Sequence, residues 1–173
     1  MVIPSHSAAI ARHSSEMERT ARDAPGQGRH DMGIAAILSD KGHEVVRVTP
    51  ETSVSSMVSE LTTRRIGALL VMAGDQVMGV VSERDIVRAL ASHGGAALDL
   101  SARDVMTSPV VSIAPADSVA RAMALMTDRR IRHLPVLDSG RLVGLVSIGD
   151  LVKRRIEEIE QEAEALKDYI TAG

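Results

Sequence analysis

Two seven-residue stretches share a spacing that can hold an anion: Gly79-Val80-Val81-Ser82-Glu83-Arg84-Asp85 and Gly144-Leu145-Val146-Ser147-Ile148-Gly149-Asp150. Both read Gly, two apolar residues, Ser, two variable residues, Asp. The apolar run has the composition of a strand and a helical pattern follows it, so each Ser falls at a strand end in an N-cap position. A serine hydroxyl beside the free N–H groups of a first helical turn is a physical cradle for phosphate. The Asp three residues on returns to the same end of the helix and offers two acceptor oxygens to a diol such as ribose. Identical spacing also makes a plain capping box, worth about 1 kcal/mol to the helix and binding nothing. Recurrence of the whole stretch in one chain favours a ligand over the cap alone.

The elements that must position these residues belong to a longer internal repeat, offset by 65 residues. Aligning 45–88 with 110–153 without a gap leaves 16 of 44 pairs identical, well above the few that chance would give. Among them are Pro50 with Pro115, Ser53-Val54 with Ser118-Val119, and Arg64-Arg65-Ile66 with Arg129-Arg130-Ile131. Each copy predicts a short strand (45–48; 110–113), a Pro, and a helix of about ten residues capped by Ser53 or Ser118. A hairpin follows: strands 68–72 and 77–81 are split by Gly74-Asp75, and strands 134–137 and 142–146 by Ser139-Gly140. A second helix starts near Glu83 or Ile148. The class is α/β (α+β): two β-α-β-β-α repeats, each small for an independent core, packed as a pseudo-twofold pair with ligand clefts along the seam. We assign 32–98 and 99–155 to the two repeats, 156–173 to a C-terminal helix extension, and 1–31 to a disordered tail. Met32 directly precedes the first apolar segment, so the tail is also read as the product of a misplaced start.

Composition narrows the chemistry. The chain has 173 residues, 20 Lys plus Arg against 23 Asp plus Glu, and a net charge of −3, which gives no electrostatic reason to expect nucleic acid or an acidic membrane as partner. Tyr169 is the single aromatic residue, so base-stacking platforms cannot be built and any purine must lie between aliphatic side chains. The absence of cysteine excludes disulfides, thiolate metal sites and a thiol nucleophile, and suits a reducing cytoplasm. The six histidines form no metal-binding spacing; only His133 is a functional candidate, with a partly buried strand histidine as the alternative. Without a nucleophile elbow, Walker loop or dinucleotide fingerprint, no enzymatic activity is expected.

The duplication, the two Gly–Ser–Asp junctions, the run Arg129-Arg130-Ile131-Arg132-His133-Leu134-Pro135-Val136 and the lead-in Asp104-Val105-Met106-Thr107 together resemble a tandem pair of cystathionine-β-synthase-type (CBS) domains, a Bateman module. The resemblance covers about residues 33–160. It implies a regulatory protein that binds an adenosine-containing ligand such as AMP, ADP, ATP, NAD(H) or S-adenosylmethionine in the seam and acts on another protein. By that resemblance Asp85 and Asp150 correspond to ribose-binding acids, Ser82 and Ser147 to hydroxyls near phosphate, and Arg132-His133 to a basic pair approaching phosphate. The first copy departs from the last feature with Gly67-Ala68, and only the first junction carries an arginine, Arg84. Two unequal sites are therefore expected. Val48, Ile66, Val81, Ile113, Ile131 and Val146 are the candidates for the adenine walls, with ordinary core packing as the alternative for each. Arg64-Arg65 and Arg129-Arg130 are read first as cations at helix C-termini.

The last helix is expected to run from Ile148 to about Tyr169 with apolar residues at Val152, Ile156, Ile159, Ala163, Leu166 and Ile170, the seam of a coiled-coil contact. Two partners fit it: a second copy, giving a homodimer through the module faces and this helix, or an intramolecular return against residues 33–43. A ligand-free oligomerisation scaffold is the alternative to the nucleotide sensor.

Overall fold

A computed structural model describes residues 33–171. The expected tail at 1–31, with His6, His13 and His30, lies outside the described residues. Among the described residues, six α-helices and two small sheets make up the expected mixed α and β class. Helix α1 (Ile34–Lys41) precedes the first repeat, which contains β1 (Arg47–Val48), α2 (Val54–Arg64), β2 (Ala68–Ala73), β3 (Gln76–Ser82) and α3 (Glu83–His93). A 3₁₀ segment (Gly94–Asp99) and the short α4 (Ala102–Val105) lead into α5 (Val119–Arg129), β4 (His133–Asp138), β5 (Arg141–Ser147) and α6 (Ile148–Thr171).

Local chemistry sets the repeated parts. Ser53 Oγ accepts the Ser56 amide at 3.2 Å and Ser118 Oγ accepts the Arg121 amide at 3.1 Å, so both first helices are capped as their sequences require. Both end on an arginine in the left-handed region, Arg65 at φ 54° and Arg130 at φ 53°. The hairpin β4–β5 turns through Ser139 and Gly140, both at positive φ, the geometry that matches strand twist in a two-residue loop.

The first strands are shorter than expected. Only Arg47–Val48 remains of 45–48, paired in parallel with β2, and 110–113 contributes a single bridge from Ile113 to Val136. The difference between copies has a chemical cause. The Leu70 amide donates to the Val46 carbonyl at 3.1 Å, whereas Pro135 stands in the place of Leu70 and has no N–H for the corresponding Val111 carbonyl.

Two cores form, and the helices preceding the repeats are exchanged between them. The first core gathers Val54, Met57, Leu61, Leu69, Val71, Val81 and Ile86 from its own repeat, but also Ala102 of α4. The second gathers Ile113, Val119, Met126, Leu134, Val136, Val146 and Leu151, and is completed by Ile34, Ile37 and Leu38 of α1. The exchange is symmetric at the backbone: Ile34 and Ala35 donate to the carbonyls of Asp117 and Pro115, while Ala102 and Arg103 donate to those of Thr52 and Pro50. Thus α1, within the segment 32–98, and α4, within 99–155, each complete the core of the other repeat.

Leu151 is fully buried and Arg154 is 8% exposed, within reach of Asp40 at 3.8 Å, so the first turns of α6 do return against residues 33–43. Beyond them Ile156, Ile159, Leu166, Tyr169 and Ile170 are all at least half exposed. Among the described residues no helix is long and apolar enough to cross a membrane.

Candidate functional site

A cleft of about 620 Å³ opens between the repeats, within the range of small-molecule sites. The first repeat lines it with Gly67, Val80, Ser82, Glu83, Arg84, Asp85 and Arg88; the connection adds Thr107 and Pro109–Val111; the second repeat adds residues 129–133 and 147–149. Five arginines (84, 88, 129, 130 and 132) and His133 face only Glu83 and Asp85, so an anionic chain carries a cationic cleft.

At the first junction Asp85 Oδ2 accepts the Ser82 amide at 2.8 Å and the Ser82 hydroxyl at 2.5 Å. Its other oxygen accepts from Thr107 Oγ1 at 3.1 Å and Arg88 Nη1 at 3.3 Å, which holds a buried carboxylate fully bonded. At the second junction Asp150 Oδ2 accepts from the Ser147 amide at 2.7 Å and hydroxyl at 2.9 Å, and from Lys41 Nζ at 2.7 Å. Lys41 also donates to the Leu145 carbonyl at 3.0 Å. Burial opposes the charge on Asp150, but the Lys41 ammonium and the Ser147 bonds outweigh it and hold the carboxyl below its ordinary value. Both Ser–Asp pairs therefore make the capping interaction, and in the first the same residues also line the cleft.

Arg84 spans the seam, donating to the Arg130 carbonyl at 2.8 Å. The His133 ring lies against Gly67, where an added Cβ would sit 3.1 Å from Cε1 and 3.2 Å from Nε2. Gly67 is thus the counterpart that makes room for the ring. Burial, reinforced by the Arg132 charge, pushes the His133 pKa down against the opposite pull of Glu83 and Asp150.

Of the residues singled out from sequence, the structure gathers Ser82, Arg84, Asp85, Ile131, Arg132, His133 and Ser147 in one cleft, while Asp150 does not line it. Val81 and Val146 are fully buried and Ile113 is 4% exposed, all in the cores, and Ile66 packs on the first core. Val48 lines a separate depression of about 730 Å³ on the first repeat, which includes neither Ser–Asp junction. The apolar wall of the cleft comes instead from Val80, Val110, Val111, Ile131 and Ile148. Arg88 and Thr107, not singled out from sequence, also line the cleft; Arg129 and Arg130 stand at the C-terminus of α5 as expected and line it as well. The signal for Thr107 was its place at the end of the lead-in run, two residues before a Pro.

A family model described as CBS domain matches residues 38–92 and 102–157. The chain is 34% identical over 149 residues to the CBS domain-containing protein CBSX3, mitochondrial, of Arabidopsis thaliana, covering 81% of this chain and 72% of that protein. The crystal structure of the CBS-domain containing protein ATU1752 from Agrobacterium tumefaciens superposes with a TM-score of 0.71 at 38% identity, over 77% of this chain and 99% of that one. The CBS domain protein PAE2072 from Pyrobaculum aerophilum, complexed with AMP, superposes with a TM-score of 0.61 at 30% identity, over 68% of this chain and 88% of that one.

Proposed function

The chain belongs to the CBS-domain family, and from that premise we propose that it is a regulatory module whose inter-repeat cleft binds a phosphorylated adenosine ligand. The observation that carries this reading is the cationic cleft: five arginines and two Ser-headed helix starts converge on a space of small-molecule size. The AMP complex of a relative in the same fold supports it. In this reading the phosphates meet Arg129, Arg130, Arg132 and His133, the ribose meets Asp85, and the adenine lies against Val110, Val111, Ile131 and Ile148. The Val111 carbonyl, released from strand pairing by Pro135, is an acceptor for the exocyclic amine.

Charge selects among the ligands named by the resemblance. AMP, ATP and NAD(H) all present phosphate to the arginines, whereas S-adenosylmethionine presents a sulfonium cation and is disfavoured. The seam is unequal: Asp85 lines the cleft, whereas Asp150 lies outside it in an ion pair with Lys41, so the dominant site is the one at Asp85. The residues suggest no catalytic role, and regulation then acts by preferential binding to one form of the module.

Titration calorimetry tests the proposal with AMP, ATP, NADH and S-adenosylmethionine. We expect one dominant site for the phosphorylated ligands, at least tenfold weaker binding in the Arg130→Ala/Arg132→Ala variant with an unchanged melting temperature, and the dominant site unaffected by Lys41→Ala, because Lys41 lies outside the cleft. Absence of both heat and thermal stabilisation with every phosphorylated ligand would leave the ligand-free scaffold as the reading.

A further inference from the structure

The outer part of α6 carries a surface that neither repeat covers. Val152 is 41% exposed, Ile156 52%, Ile159 50%, Leu166 63% and Ile170 76%, although together with Ala163 they recur at the alternating four and three spacing of a coiled-coil seam. In heptad terms Ile156, Ala163 and Ile170 take the a positions, and Val152, Ile159 and Leu166 the d positions. With Ile, Ala and Ile at a and Val, Ile and Leu at d, the seam residues supply a continuous apolar stripe, and orientation is set by the charges that flank it.

Charge fixes what lies opposite. The seam is flanked by Lys153, Glu160 and Lys167 on one side and by Arg155, Glu162 and Tyr169 on the other. Two copies aligned in parallel set each second-side residue against the first-side residue five positions on. Arg155 then meets the partner's Glu160, and Glu162 meets the partner's Lys167, each twice by symmetry. An antiparallel arrangement centred on the seam sets Glu160 against the partner's Glu160, Glu162 against the partner's Glu162, and Lys153 against the partner's Lys167, all of like sign. Arg155, which reaches Glu158 at 3.1 Å within its own helix and is half exposed, needs only a rotamer change to make the new pair.

We propose that the outer part of α6, residues 152–171, forms a parallel, in-register two-stranded coil with a second copy of this chain. The seam stands clear of the cleft, so this association does not depend on the nucleotide reading.

The chain has no cysteine, which makes single-cysteine crosslinking of the full-length protein a direct test. Under mild oxidation Ile170→Cys is expected to give a disulfide-linked dimer, and Gln161→Cys, outside the seam, is expected not to. A mixture of Val152→Cys and Ile170→Cys chains that linked mainly to each other would establish the antiparallel arrangement and overturn the proposal. Ile159→Asp/Leu166→Asp is expected to shift the light-scattering mass from dimer to monomer while cooperative thermal unfolding is kept, because both side chains are exposed in the single chain. A monomeric mass for the unmodified chain at micromolar concentration would equally overturn it.

Discussion

Around His133 the two copies of the repeat differ for a steric reason as well as an electrostatic one. The ring needs the space left by Gly67, so a methyl group there must displace it. Burial and the neighbouring Arg132 hold the imidazole below its usual pKa, which sets the sign of a pH effect. With the folded value lowered, the unfolded chain takes up a proton first as pH falls. The stability associated with the neutral ring is complete above the unfolded pKa, near 6.5, and declines as pH drops below it. The melting temperature is therefore expected to fall between about pH 7 and 5.5, and His133→Phe to flatten that slope in thermal denaturation. A phosphate beside the ring reverses the bias, so AMP binding should take up protons near neutral pH, read as a dependence of the calorimetric heat on buffer ionisation enthalpy.

Among the elements, those written in adjacent residues were legible in the sequence: the hairpins from Gly74 and Ser139-Gly140, the first helices from Ser53 and Ser118, and α6 to within two residues of its end. The first strands were not, because their length depends on whether a distant neighbour has an N–H to give, as Leu70 does and Pro135 does not. Nor was the apolar side of the cleft. Alternation along β3 and β5 separates two faces without saying which one the partner repeat covers, and Val81 and Val146 face the cores while Val80 faces the cleft. The exchange of α1 and α4 was invisible for a similar reason, since a repeat period does not report which core an element completes. Two glycines admit the exchanged elements. A Cβ at Gly79 would lie 2.5 Å from Met106 Sδ and 2.9 Å from its Cβ, while one at Gly144 would meet mainly the tips of Leu38, at 2.5 and 3.0 Å. Gly79→Ala is thus expected to destabilise by about 1–3 kcal/mol in urea titration, and Gly144→Ala by less, because a leucine tip yields more readily than the base of a methionine.

At the scale of the described residues together, the 65-residue duplication yields an interlocked pair of repeats with two cores. Ile34, Ile37 and Leu38 are each at most 5% exposed and belong to the second core, and burying such side chains contributes about 1.5–3 kcal/mol apiece. Their sum is comparable with the net stability of an ordinary domain. A chain beginning at residue 44 is therefore expected to lose cooperative unfolding of its second half, seen as a broadened or missing transition in circular dichroism, although every residue of the second repeat is still present. The crossing-over of these short helices also governs how a guest could be felt elsewhere. Each half is strapped by a piece of the other on its own backbone, at Asp117 and Pro115 on one side and Thr52 and Pro50 on the other. Opening the gap widely would break these four backbone bonds and uncover Ile34, Ile37, Leu38 and Ala102. Under the proposed function a bound nucleotide would act by small rotations, and the longest lever to magnify them is the 24-residue rod of α6, which follows directly on Ser147.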